Sequence, residues 1–185
     1  MSTRDGMNYA PTASKVEKVV GPGEFVFATA FLDHGHIFGQ MNGLTEAGGE
    51  CRYVYDPQPD RARAFVEKFP GVKIADSYEQ ILEDPEVRLV SAAAVPCERA
   101  GIGFKAMRAG KDYFTDKSPF TTLAQLEEAR EVVQETGRKY MCYYSERIHT
   151  EAGFHAGELI RQGVIGDVLQ VLIMRSEEHT SELQS

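Results

Sequence analysis

The segment Asp33-His34-Gly35-His36-Ile37-Phe38-Gly39 sets a glycine and a row of backbone amides between a β-forming run and an amphipathic stretch. At such a junction a glycine lets the backbone approach a pyrophosphate, and the amides opening the helix favour the anion. Gly35 takes the middle glycine of a dinucleotide fingerprint. Asp33 stands where the first glycine belongs, and Phe38, just ahead of Gly39, where the third belongs. The turn is therefore an altered fingerprint in which His34, Gly35, His36 and Ile37 would frame a cofactor. Asp56 lies twenty-one positions after Gly35, close to the spacing at which an acid ending the second strand hydrogen-bonds the adenine ribose hydroxyls. Its charge would repel a 2'-phosphate, which predicts NAD rather than NADP. The plainer reading is that Asp56-Pro57 only opens a turn.

Asp116-Lys117 is a second candidate. A lysine beside an acid at a strand's carboxyl end can hydrogen-bond a substrate hydroxyl or carbonyl near a nicotinamide and ease proton transfer during hydride movement. An exposed ion pair of no consequence is the alternative. His34 and His36 could be metal ligands, yet two loop histidines make a poor zinc signal, so no metal is expected. They are read as loop residues that hydrogen-bond the backbone or line the cofactor mouth. Cys97, after Pro96, is read as a packing residue without a catalytic role.

These residues need a scaffold that brings strand ends together. From Phe25 onward, short β-branched or aromatic runs alternate with longer amphipathic stretches, the pattern of a parallel sheet covered by helices. Strands are predicted at 25–32, 52–56, 72–75, 89–95, 112–115 and 139–144, and helices at 37–47, 59–69, 78–83, 98–109 and 123–135. Gly48-Gly49, Gly110 and Gly137 mark helix ends, and Ser77 and Thr122 mark helix starts. Right-handed crossovers then leave a Rossmann-like, doubly wound α/β sheet. Its ligands bind beyond the strands' carboxyl ends, where Gly35, Asp56, Pro96 and Lys117 would meet. A further helix at 152–162 and the strand-like run 168–174 read as the start of a second α/β domain.

The totals agree with a small-molecule partner. The chain has 185 residues, 42% of them hydrophobic, which suffices for one core but not two full domains. A formal charge of −8 argues against a nucleic-acid groove or an anionic membrane surface. Three dispersed cysteines suggest neither zinc nor disulfides, and no stretch has the character of a signal peptide or a membrane span. A cytoplasmic location is expected.

Gly35, Asp56-Pro57, the run AGKDYFTDK (109–117) and the segment GELIRQGVIGDV (157–168) together resemble the Gfo/Idh/MocA oxidoreductases, over about 25–174. That resemblance implies a Rossmann domain at 25–147, a substrate domain beginning at 148–174, and NAD(P)-dependent oxidation or reduction of sugars, polyols or related compounds, commonly by a homo-oligomer. The family's Glu-Lys-Pro motif falls on Asp116, Lys117 and Ser118, with the proline displaced to Pro119. By this match Lys117 faces both nicotinamide and substrate. The family's Thr-Pro-Asn and nearby His fall on Val95, Pro96, Cys97 and Ala100, keeping only Pro96. Arg147 matches the arginine after the sixth strand, a substrate-cleft residue. The acid-base histidine of the family's second domain would fall beyond Met174, which implies a fragment inert by itself. A non-catalytic, dinucleotide-binding regulatory or redox-sensing protein is the rival reading, and a purely structural protein the third.

The two ends are read apart from the fold. Residues 1–24 are expected to form a flexible leader. Residues 175–185, RSEEHTSELQS, resemble the in-frame translation of a sequencing-library adapter, so His179 receives no role and the natural sequence is expected to be interrupted near Met174.

Overall fold

Alternation of side chains along a strand decides which residues meet the helices above and below the sheet. In β1 (Val26–Ala30) all five residues are buried, the pattern of a strand with neighbours on both edges and helices on both faces. Val26, Ala28 and Ala30 join one apolar cluster with Val90, Met107, Tyr113 and Val132. Phe27 turns to the opposite face and packs with Ile37, Met41, Val54 and Phe65.

A computed structural model of the chain describes residues 17–145 and 151–172. After β1 come α1 (His36–Glu46), β2 (Glu50–Tyr55), α2 (Pro59–Lys68), β3 (Lys73–Ile74) and α3 (Tyr78–Glu83). β4 (Val87–Ala92), α4 (Arg99–Arg108), β5 (Asp112–Asp116), α5 (Leu123–Thr136) and β6 (Tyr140–Tyr143) complete the first unit. The sheet order is β3-β2-β1-β4-β5-β6 and every described pairing is parallel. Strand order therefore reverses between β1 and β4, where a doubly wound sheet opens its crevice.

The expected punctuation is in place. Ser77 Oγ accepts from the Gln80 amide, and Thr122 with Gln125 forms a reciprocal capping box at the start of α5. α5 ends on Gly137 at φ 64°, a left-handed cap that a side chain would disfavour. Five of the six predicted strands ran past the observed carboxyl ends, whereas β5 continues one residue further, to Asp116. β1 stops at Ala30 because Phe31 adopts φ 54°, held by its amide to Tyr55 O and by its carbonyl to the Ala93 amide. That left-handed residue turns the chain out of the sheet and aims residues 33–35 over its carboxyl edge.

Within the segment read as a leader, residues 17–24 are described, and the Val19 amide donates to Ala47 O at 2.9 Å. Contacts place the described residues from 151 onward in a separate unit. Its described part is α6 (Glu151–Arg161) followed by turns, with Arg161 paired to Glu158. Residues 168–172 do not form the expected strand, since no described strand pairs with them and an isolated strand leaves its backbone groups unmet. Residues 173–185, including the adapter-like segment, lie outside the described residues. No helix among the described residues is long and apolar enough to cross a membrane.

Candidate functional site

Because the strands are parallel, the tips of β1, β2, β4 and β5 lie along one edge of the sheet. Alanines at 30, 92, 93 and 94 finish β1 and extend β4, keeping that edge low. The β1–α1 turn crosses it, tied down by the His34 amide donating to Ala93 O at 3.1 Å. Gly35 is the residue before α1, with no side-chain cap, and a Cβ built on it meets nothing within 4 Å. There is open space above the start of α1. Ile37 is buried in the core, and its amide donates to His34 O, so it braces the turn from beneath.

Asp116, the last residue of β5, organises the centre of this edge. Its carboxylate is buried, with His36 Nδ1 2.8 Å from Oδ1 and His34 Nδ1 3.2 Å from Oδ2. The Lys117 amide donates to Oδ1 at 2.8 Å, and Arg99 Nη2 approaches Oδ2 at 3.4 Å. Burial pushes this carboxyl up, but the bonds from His34, His36 and the Lys117 amide outweigh it and hold the group well below the usual carboxylate range. Arg99, itself buried, also donates to Ala94 O at 2.6 Å and to Ser118 O at 3.2 Å. One guanidinium thus joins the ends of β4 and β5.

Folding brings the two histidines a remote carboxylate, Asp116, in addition to the adjacent Asp33. His34, His36 and Asp116 present metal-ligand atoms within 4.8 Å of one another. Arg99 already provides positive charge beside the carboxylate, so the cluster is satisfied as a hydrogen-bonded ion network. Asp116 was read as the acid beside Lys117, but its oxygens turn back to α1 and α4, and Lys117 follows half-buried at the same edge.

Asp56 sits at the tip of β2, and its side chain has no exposed surface. Oδ2 accepts from the Leu32 amide at 2.7 Å and Oδ1 from the Gln58 amide at 2.8 Å. The turn-opening use of Asp-Pro is therefore present, and the carboxylate's charge reaches the β2 tip from below the surface. Above it, Arg61 Nη1 contacts Asp33 Oδ1 at 2.5 Å and lies 3.9 Å from Asp56 Oδ2. Pro96 is exposed beyond β4, with Val95 beside it. Arg147 lies outside the described residues. Arg61 and Arg99 were missed as site residues, and Asp33 was read only as standing in for the first glycine, although Arg61 lies in the first turn of α2.

Comparison with known proteins agrees with this fold. Residues 19–144 match the GFO_IDH_MocA family, described as an oxidoreductase family with an NAD-binding Rossmann fold. An uncharacterized oxidoreductase from Streptococcus pneumoniae is 32% identical over 122 residues, covering 66% of this chain and 32% of the relative. The crystal structure of a candidate oxidoreductase from Erwinia carotovora atroseptica superposes with TM-score 0.77 at 40% identity, over 80% of this chain and 44% of its own. That of a candidate myo-inositol dehydrogenase from Sinorhizobium meliloti shares the fold at TM-score 0.66 and 22% identity, over 78% and 43%. The chain spans about a third of the curated relative and under half of these structures. With its parallel sheet, its β1/β4 crevice and a family match over most of its length, the chain belongs to the Gfo/Idh/MocA oxidoreductases and carries their NAD(P)-binding Rossmann domain.

Proposed function

We propose that this chain binds a nicotinamide dinucleotide across the β1/β4 crevice, as the cofactor half of an enzyme that oxidises or reduces a sugar, polyol or similar small molecule. The observation that carries the reading is the gathering of the Gly35 turn, the β2 tip at Asp56, Pro96 and Lys117 along one carboxyl edge. The residues fit such a cofactor in two respects. Open space lies above Gly35 at the positive end of α1. The two carboxylates that would repel a diphosphate are each matched by a cation, Asp33 by Arg61 and Asp116 by Arg99.

In this reading the amides of His34–Ile37 and the α1 dipole favour the diphosphate, while Asp56 shapes the ribose end and its charge favours NAD. When bound, the cofactor supplies hydride transfer. Lys117 hydrogen-bonds the reacting oxygen of the substrate and stabilises the charge that develops there. Asp116 holds the Lys117 backbone in place, and Arg147 contributes to the substrate cleft. Sugar and polyol chemistry belongs to the family resemblance and to the whole protein, of which this chain is the cofactor-binding portion.

Fluorescence titration of NADH into the chain tests the reading. Saturable binding that K117A weakens is expected; no saturable binding of either NADH or NADPH would sink it.

A further inference from the structure

The Arg61–Asp33 pair bears on which cofactor the crevice accepts. A 2'-phosphate on the adenine ribose is accommodated in Rossmann sites by a nearby arginine, and Arg61 stands at that end of the crevice, in the first turn of α2 after the β2 tip. One arm of its guanidinium is engaged: Nη1 contacts Asp33 Oδ1 at 2.5 Å and faces Asp56 Oδ2 at 3.9 Å. Asp33 and Asp56 carry two negative charges against this one positive charge. The remaining acid of that turn, Asp60, points to solvent and pairs with Arg63.

Resting on the dinucleotide reading above, we propose that Asp33 is the cofactor-selecting residue: it holds Arg61 on the β1–α1 turn, away from a 2'-phosphate. The position is unexpected for such a role, because Asp33 occupies the first-glycine site of the phosphate turn and not the end of β2. The selection is built from two parts. Asp33 takes Nη1 out of the planar donor fork that would grip a phosphate, and it leaves the local charge negative, which a doubly charged phosphate meets as repulsion. The arrangement also removes the objection to an acid in a phosphate turn, since Arg61 neutralises it. Asp33 and Arg61 are both partly solvent-facing, with side chains 25% and 36% exposed, so the pair can be broken without opening the core.

The test is a double-mutant cycle in the whole chain, titrating NADH and NADPH by fluorescence into wild type, D33N, R61Q and D33N/R61Q, with D33S as a second substitution of Asp33. Expected is tighter NADH than NADPH binding by wild type. D33N and D33S should each shift the ratio toward NADPH by roughly tenfold, the scale of one charge-assisted hydrogen bond. R61Q in the D33N background should abolish the shift. Retained NADH binding by each variant verifies its fold. An unchanged ratio in D33N and D33S overturns the proposal, and so does a shift that survives R61Q. Absence of NADH and NADPH binding by wild type is a different outcome, which overturns the dinucleotide reading itself.

Discussion

His36 Nδ1, on the first residue of α1, lies 2.8 Å from Oδ1 of Asp116, on the last residue of β5, 80 positions further along the chain. The contact ties the β1–α1 turn to the strand that Lys117 follows. With Arg99 bridging to Ala94 O and Ser118 O, the ends of β4 and β5 and the start of α1 form one polar unit. A polar unit this buried is stabilising only while every partner remains.

Replacing Asp116 by Ala should therefore cost far more than removing a hydrogen bond, because Arg99 would stay buried with its main counter-charge gone. About 3–5 kcal/mol is expected, the scale for breaking a buried ion pair from one side. H36A should cost about 1.5–3 kcal/mol, as for a bond to a charged group. Urea unfolding of D116A, H36A and the double variant measures these values. Strict additivity would contradict a shared network.

The same carboxylate predicts how stability depends on pH. Its folded pKa is depressed, so its contribution is complete above the unfolded aspartate value of about 3.9 and is lost as pH falls through that value toward the lower folded one. Urea midpoints followed from about pH 7 down to about pH 3 should fall more steeply for wild type than for D116N. Parallel acid limbs in the two proteins would show that Asp116 carries no such linkage.

The sheet and its helices were legible because their signals are local. Ser77, Thr122 and Gly137 each act within a turn of their own position, and the period of apolar residues follows from which face is covered. The site was legible only in part. The strand-tip rule placed the Gly35 turn, Asp56 and Lys117 on one edge, but it says nothing about where a side chain points once there. Asp116 turned inward because two histidines and an arginine from remote segments reach it, and Asp56 because two amides claim it. Both outcomes depend on tertiary neighbours that no spacing encodes.

Close helix-to-strand approach makes two glycines unequal. A Cβ at Gly103 of α4 would collide with the ring of Tyr113, which is fully buried and also meets Tyr140 at 5.2 Å. A Cβ at Gly39 of α1 would lie 2.5 Å from Tyr143 Oη, the far end of a side chain. G103A should destabilise by about 1–3 kcal/mol, the range for overpacking a full core, and G39A by less. Thermal melts of the two variants decide the order, and a G39A melting point below that of G103A would contradict it.

Asp56 separates turn-making from charge. Removing its side chain strands the amides of Leu32 and Gln58, so D56A should lose about 1–3 kcal/mol of stability, measurable by urea unfolding. D56S keeps an acceptor for the Gln58 amide, since a serine hydroxyl closes the same kind of turn more weakly, and it should recover part of that loss. The carboxylate's charge does not return with the hydroxyl. NADH affinity should therefore stay reduced in D56S while NADPH affinity rises relative to it, because the repulsion felt by a 2'-phosphate has diminished. If D56S instead restored NADH affinity in step with stability, the cofactor would depend on the shape of the β2–α2 turn alone, and any preference for NAD would have to come from Asp33 and Arg61.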